Sequence, residues 1–486
     1  MKRDPQDSRR SGKRADHQEL FKGHSAISCV GMCYAALGNR IMDLEKIFVQ
    51  TLQPSLGCTE LASIAFTVAA AAQATSGWSP ERRTTPLICL SSEEVGRIHV
   101  QVNQSIFKNA FSVYIPNTAG QRGVVMAAAL GAFCDPKEGL QLFRNLKSAD
   151  VAKARELIQA RKVKVEIVEA EQTDLYIQAR VLVQSGPLSC MGSSVVKYGH
   201  TNLIFLKRGE EMIYHQPSRD EQKSFDGDLD ELKSLTFQEL IQAVEHLPVS
   251  VMNLIRKTIA LNKKATETGL AQPLGLGVGF RETHGKENLD LVHHISSVAA
   301  AGSDARMSGH PVEVMSSAGS GNQGIVATIP VVAYCEIAQI DEDRLLKAVA
   351  LSHLVTMYMT MHVGALSALC GAAIKAGIGA ACGITYAMGG QGSDICRAVK
   401  IMIASIAGVI CDGAKPGCAL KVSSSSAMAV RAAILAMGKL DISETNGIVG
   451  RSAEDTVRNL SRLDQSMKAV DDKIVQILRE KLPTTW

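Results

Sequence analysis

Val355 to Ile374 reads VTMYMTMHVGALSALCGAAI, a stretch long enough to span a bilayer and without a formal charge. Such a run must be buried, either in lipid or in a protein core large enough to enclose a helix. His362 lies inside the run and Lys375 follows at once. The next segment, KAGIGAACGITYAMGG, is Gly/Ala-rich with no basic flank and no aromatic belt. Small residues let helices approach closely inside a core. The expectation is therefore buried core helices and no membrane.

The chain is long enough to build that core. Its 486 residues, 46% hydrophobic and 21% charged, are ordinary for a soluble globular protein of two or three domains. The net charge is +4, and much of it lies at the start. MKRDPQDSRRSGKRADHQELFK is polar and basic, with no apolar region of the signal-peptide kind. Residues 1–40 are expected to form a basic disordered extension. The rest is close to neutral, which excludes a nucleic-acid partner from this reading. The 12 cysteines are expected to stay reduced. Cys29, Cys33, Cys89, Cys134, Cys190 and Cys335 form no ligand pattern and suit small buried hydrophobes.

Residues Met42 to Thr51 read as a weak helix. A turn at Pro54, Ser55 and Gly57 then opens a long Ala-rich helix, with Glu60 in its first turn, where a carboxylate complements the helix dipole. RIHVQVNQ alternates apolar and polar side chains as a half-buried strand does. VKVEIVEA, DLYIQARVLVQS and HTNLIFLKRGEEMIYHQ read as further strands, with antiparallel pairing expected. SRDEQKSFDGDLDELK is a charged connection, and helices with Gly-rich turns dominate beyond Ser234. Ser452 and Asp455 form a capping-box signature. Val457, Leu460, Leu463, Met467, Val470, Ile474 and Leu478 follow as one apolar stripe, suited to core or to a homodimer interface. The fold class is α+β: an N-terminal α/β domain with antiparallel strands, 43–230, and a C-terminal all-helical domain, 235–486.

Four segments carry chemistry. VICDGAKPGCALK places Cys411 and Cys418 around a turn with Asp412, Lys415 and Lys421, and Cys370 stands beside a glycine at a helix break. Two thiolates on a turn and a distant third can hold a metal centre, and spacing alone permits zinc as readily as iron. The four-cysteine ferredoxin run is absent. Cys382 and Cys396 read as structural thiols within helices. SSAGSGNQGI exposes backbone and brings Ser320, Asn322 and Gln323, a set that suits a carboxylate. It is not a P-loop, and the nearby GLGVGF lacks a dinucleotide-binding context. Cys58, in PSLGCTE, sits at an expected helix N-terminus, where the dipole favours a thiolate that acts as base or nucleophile. His200 begins a strand with Thr201 and Asn202, a position more often structural; it is kept as a candidate substrate contact.

PSLGCTE, NAFSVYIPNTAGQRGVVMAAALGA, SDARMSGHPVEVMSSAGSGNQGI and CDGAKPGCALKVSSSSA occur in this order. Together they resemble the serine dehydratase alpha-chain-like family that includes L-cysteine desulfidase, over about Asp43 to Ile477. The resemblance implies an oxygen-sensitive [4Fe-4S] cluster held by Cys370, Cys411 and Cys418, with the fourth iron left for substrate. It also implies that Cys58 is the proton acceptor and that the GSGNQG loop binds substrate. Iron–sulfur serine dehydratases carry Ser-Ser-His-Thr where this chain has Leu56-Gly57-Cys58-Thr59, and a longer gap between their last two cluster cysteines. Both departures favour the desulfidase branch.

The expected reaction is β-elimination of L-cysteine to pyruvate, ammonia and hydrogen sulfide in a reducing cytoplasm. L-serine dehydration is the alternative substrate reading. A zinc-stapled, non-enzymatic helical protein is the alternative from another class. A pyridoxal enzyme would need a Schiff-base lysine motif, and none accompanies the glycine-rich turn.

Overall fold

The computed structural model describes residues 35–37, 40–82, 84–169, 175–216, 229, 231–286 and 288–481. The basic start, Cys29, Cys33 and most of the charged connection at 218–233 lie outside the described residues. Tyr34–Trp486 forms one compact unit.

Ten strands are described: β1 (Ala35–Leu37), β2 (Arg40–Met42), β3 (Pro54–Leu56), β4 (Val95–Val102), β5 (Val163–Ile167), β6 (Tyr176–Ser185), β7 (Leu188–Lys197), β8 (Leu203–Arg208), β9 (Glu211–His215) and β10 (Glu313–Met315). Six of them make one sheet in the order β5-β4-β6-β7-β8-β9. Every pair is antiparallel except β4–β5, whose strands are separated by three α-helices and a 3-10 helix and run parallel. A parallel pair needs such a crossover, and the segment 104–159 supplies it. The Ala-rich helix Thr59–Ala74 lies on β6 and β7 with every residue buried. The contact is close: a Cβ on Gly192 of β7 would strike the Ala71 carbonyl oxygen. Alanine on the helix and glycine on the strand allow that approach.

Helices dominate after 235, as the sequence predicts. The uncharged run does not form one rod. The helix Glu342–Val363 ends at Gly364, which takes φ 94°, and a π-turn, Ala372–Ala376, begins after Cys370. The break lies in the middle of the run, so the chain places a loop where a bilayer helix would continue. Among the described residues one helix, Cys418–Met437, is long and apolar enough to cross a membrane by length and composition. Buried apolar side chains gather into two large cores. One is built on the helical part and takes in Leu44, Ile47 and Phe48 from the helix Leu44–Thr51. The other lies between the sheet and its helices and takes in Val475 from the last helix.

The C-terminal stripe is shared by two helices, Ala453–Gln465 and Lys468–Glu480, broken at Ser466 and Met467. The Ser452–Asp455 capping box is present. Val457 and Leu460 are buried in the helical core, whereas Leu463 is 40% exposed. The break redirects the last helix onto Gln104–Ala110, where Asp471 Oδ1 accepts from Lys108 Nζ at 2.7 Å. The lysine side chain is 1% exposed and the aspartate 15%. GLGVGF is explained from inside the protein. It wraps the carboxylate of buried Asp304, whose Oδ2 accepts from the Gly279 N–H at 3.0 Å. Burial raises the Asp304 carboxyl to about 6 against the pull of the loop amides.

Breaking a buried ion pair leaves an uncompensated charge, at a cost of about 3 kcal/mol. Asp471→Ala is therefore expected to lower the urea unfolding free energy by about that amount. A midpoint unchanged from the parent protein would show that this pair does not fasten the last helix.

Candidate active site

Two distant segments are joined by a short ribbon. β3 pairs antiparallel with β10, setting Leu56 opposite Glu313, Ser55 opposite Val314 and Pro54 opposite Met315. The pairing continues through Ser316 N–H to Gln53 O at 2.9 Å and Ala318 N–H to Thr51 O at 3.1 Å. Asn262, fully buried, fastens the ribbon to the helix Val249–Ala271: it donates to Gly324 O at 3.1 Å and accepts from Met315 N–H at 2.9 Å. PSLGCTE and SSAGSGNQGI therefore lie side by side.

Each segment ends by opening a helix. Cys58 is the N-cap of Thr59–Ala74 and is 1% exposed. Its Sγ donates to Glu60 Oε2 at 3.0 Å. Thr59 Oγ1 donates to the same oxygen at 3.0 Å, and Asn109 Nδ2 donates to Glu60 Oε1 at 2.9 Å. Burial, reinforced by the Glu60 charge, pushes the Cys58 thiol well above its ordinary range. The sequence predicts that the helix dipole favours a thiolate at Cys58. The dipole loses because full desolvation and an adjacent carboxylate both penalise the thiolate. Burial alone would raise Glu60, but the His200 ring, the Cys58 hydrogen bond and the Arg306 charge hold it below its usual value. The proton of this pair therefore rests on sulfur.

On the other side, Ser320 caps the helix Gly321–Ile337, and its hydroxyl accepts from Gln323 N–H at 3.5 Å. Asn322 Oδ1 accepts from Ser303 Oγ at 3.3 Å. Gln323 is 2% exposed, with its Oε1 buried and unpartnered. Its amide lies against Gly371, since a Cβ there would stand 3.1 Å from Gln323 Cδ. The His200 ring rests on the glycine turn, with Cε1 3.0 Å from where a Cβ of Gly319 would be. Its Nε2 is buried without a partner, and burial lowers its pKa, so the ring is neutral.

Arg306 was not singled out in the sequence. It is 3% exposed, its Nε is buried without a partner, and Nη1 reaches only Met307 Sδ at 3.1 Å. A Cβ on Gly321 would strike its Nε, and its charge acts on Cys58, Glu60 and His200. An arginine is rarely buried unless paired. The signal in the sequence is a pair of charges, Asp304 and Arg306, in the otherwise small and uncharged SSVAAAGSDARM. Asp304 is held by the GLGVGF loop, whereas Arg306 Nε has no hydrogen-bond partner. Asn109, a lone amide on a short helix, gives no such signal.

The three thiols also converge. Cys370 N–H donates to Val409 O at 2.8 Å and Cys411 N–H to Ala368 O at 2.7 Å, so their two loops pair as a bridge. Lys375, buried behind them, donates to Gly364 O at 2.5 Å and Ala365 O at 3.1 Å and so holds the loop that leads to Cys370. Burial first, and then the neighbouring Cys411 and Cys418, push the Cys370 thiol to about 12. Burial likewise raises Cys418, which opens the helix Cys418–Met437. Lys415 and Lys421 both bind Asp412, and their hydrogen bonds outweigh its burial and hold it at about 2. Lys421 also donates to Ile410 O at 2.8 Å. Both lysines therefore fasten the thiol turn. Cys411 Sγ lies 3.7 Å from Asn109 Oδ1, so one amide connects the thiols to the Cys58–Glu60 pair.

Among the described residues no three His, Cys, Asp or Glu side chains close around a single metal ion. A zinc staple brings its sulfurs to about 2.3 Å from one ion. An iron–sulfur cubane puts each thiolate on a different iron, so its thiolates stand further apart. Cys411 and Cys418 lie near enough to Cys370 to raise its thiol, so these three are the residues that would hold either group. Cys382 and Cys396 lie in helices, as predicted, and burial raises both.

A buried cation, an amide, a neutral imidazole and a thiol–carboxylate pair thus gather beside three thiols. Residues 139–476 match the family described as serine dehydratase alpha chain. The chain belongs to that family. It is 34% identical over 447 residues to a UPF0597 protein of Clostridium tetani, covering 90% of this chain and 100% of the relative. It is 35% identical over 455 residues to a UPF0597 protein of Desulforapulum autotrophicum, covering 91% of this chain and 98% of the relative.

His353 supports the glycine turn, with Nδ1 3.0 Å from Ser317 Oγ and Nε2 3.0 Å from Thr328 Oγ1. Burial depresses its pKa to about 3 from 6.5. The unfolded chain then binds the extra proton first, so stability falls as pH drops from about 6.5 towards 3, by up to about 1.4 kcal/mol per pH unit. His200 and His362 act in the same sense. Urea unfolding across this window is expected to show a shallower slope for His353→Gln than for the parent. Equal slopes would place the acid sensitivity elsewhere.

Proposed function

We propose that the protein is an iron–sulfur lyase that eliminates the β-substituent of a small amino acid, with L-cysteine as substrate and pyruvate, ammonia and hydrogen sulfide as products. The observation that carries this reading is Arg306: a buried guanidinium with no hydrogen-bonded carboxylate among the described residues and an unpartnered Nε, at the junction of the Cys58 and Gln323 segments. An α-carboxylate supplies the missing partner in two-pronged geometry. Gln323 Oε1, buried and unpartnered, is an acceptor for the α-ammonium group. His200 closes the turn from the other side as a neutral imidazole. Cys58, with Glu60 behind it, takes the α-proton.

Cys370, Cys411 and Cys418 are the residues that would hold a [4Fe-4S] cluster. When bound, it supplies one iron without a thiolate, a Lewis-acid position for the leaving group or the carboxylate. Loss of the β-substituent gives aminoacrylate, which water converts to pyruvate and ammonia. The thiol Cys58 in place of the histidine of serine dehydratases favours a sulfur substrate over L-serine.

Anaerobic reconstitution with iron and sulfide tests the reading, with pyruvate release from L-cysteine and L-serine followed side by side. Faster release from L-cysteine, lost in air, is expected. Faster release from L-serine would move the protein to the dehydratases, and a colourless protein with one zinc and no turnover would remove the enzyme reading. Cys411→Ser and Cys418→Ser are expected to lose both the brown chromophore and activity, whereas Cys58→Ser keeps the chromophore and loses turnover. Arg306→Met removes a charged hydrogen-bonding partner and is expected to raise KM about 100-fold. An unchanged KM would place the carboxylate elsewhere.

A further inference from the structure

A base that already carries a proton cannot accept another. Cys58 is 1% exposed, and its thiol donates at 3.0 Å to Glu60 Oε2. Without help the α-proton has no acceptor, since the thiolate is scarce in this environment. Glu60 is itself 8% exposed, and its carboxylate is aligned by Thr59 Oγ1 at 3.0 Å and Asn109 Nδ2 at 2.9 Å. A buried carboxylate with that many donors is held ready in one orientation. The lyase reading above gives it no task.

Resting on that reading, we infer that Cys58 and Glu60 form a one-proton relay that serves first as base and then as acid. Glu60 takes the thiol proton from Cys58. The Cys58 thiolate then takes the α-proton of the substrate. The electron pair of the broken Cα–H bond forms the Cα–Cβ double bond, and the Cβ–S bond breaks with its pair on the departing sulfur. Glu60 returns its proton to that sulfur, which leaves as hydrogen sulfide. The pair ends as it began, with a proton on Cys58 and a bare carboxylate on Glu60. No oxidant, reductant or external acid is consumed. The environment that makes the thiolate scarce also makes it strong, which suits a weakly acidic C–H bond.

The charged or titratable groups facing Glu60 are Arg306 from the helix Leu291–Met307, His200 from the turn before β8, and Cys58 itself. Arg306 also faces Cys58 and lowers its pKa, so the same guanidinium that awaits the substrate eases formation of the thiolate.

Glu60→Gln keeps the shape and the hydrogen-bond acceptor but cannot carry the proton. In anaerobically reconstituted enzyme, its kcat for L-cysteine near neutral pH is expected to fall about 1000-fold. KM and the visible absorption of the cluster should change little. The deficit should shrink as pH is raised through the alkaline range, where hydroxide can take the Cys58 proton that Glu60 no longer removes. Glu60→Asp retains a carboxylate and should recover part of the loss. A Glu60→Gln enzyme with near-parental kcat at neutral pH would overturn the relay. So would a loss that is the same at every pH, since that marks a residue that only positions Cys58. If the parent enzyme releases pyruvate and Glu60→Gln matches it, the relay alone fails. If the parent releases none from either amino acid, the lyase reading fails and takes the relay with it.

Discussion

The antiparallel pairing of β3 with β10 is the constraint on which the site depends. Three residue pairs, Leu56 with Glu313, Ser55 with Val314 and Pro54 with Met315, join segments from opposite halves of the chain. Closing so long a loop costs chain entropy that three strand pairs alone do not repay. Buried polar anchors make up the difference. Asn262 uses its amide on both Met315 and Gly324, and His353 spans Ser317 and Thr328. These side chains have no exposed polar atoms left to satisfy elsewhere, so the ribbon has one register. Cys58 and Gln323 follow from that register, because each belongs to the helix that one strand of the ribbon leads into.

Burial then sets the chemistry. The same desolvation acts on a thiol, a carboxylate, an imidazole and a guanidinium within one small volume. It raises Cys58 and lowers His200. Glu60 stays charged because an imidazole, a thiol and Arg306 stand against the penalty. The result is a pair with its proton on sulfur beside a guanidinium whose Nε has no hydrogen-bond partner. Such an arrangement costs stability in the resting protein, and in the proposed reading a bound carboxylate would relieve it, the usual trade between a prepared site and a stable one. The thiol cradle follows the same logic. Its loops are fixed by backbone bridges and by Lys375, Lys415 and Lys421, none of which relies on the three sulfurs.

What the sequence made legible was local. Cys370, Cys411, Cys418, Cys58 and the Ser320–Gln323 turn could be singled out because each lies in a short segment of unusual composition. The α+β class was legible because strand alternation gives way to helical spacing near Ser234. What stayed hidden depends on distance. Nothing near Glu60 announces Asn109, and the charge pair Asp304–Arg306 signals a buried arginine without saying that it meets Gly321. The β4–β5 pair is parallel because of a crossover that alternation cannot reveal. The run 355–374 and the stripe 457–478 both read as continuous, yet each is broken, at Gly364 and at Ser466–Met467. In both cases the break delivers something tertiary: the Cys370 loop in the first, and the Lys108–Asp471 contact in the second.

The proposed chemistry depends on what the three thiols hold. Mössbauer spectroscopy of protein reconstituted with isotopically enriched iron, recorded before and after addition of L-cysteine, examines this directly. A four-iron cluster in which one iron differs from the other three, and in which that iron alone responds to L-cysteine, is the predicted result. Iron that fails to bind while zinc binds stoichiometrically, or a cluster whose irons are all indifferent to L-cysteine, would contradict it.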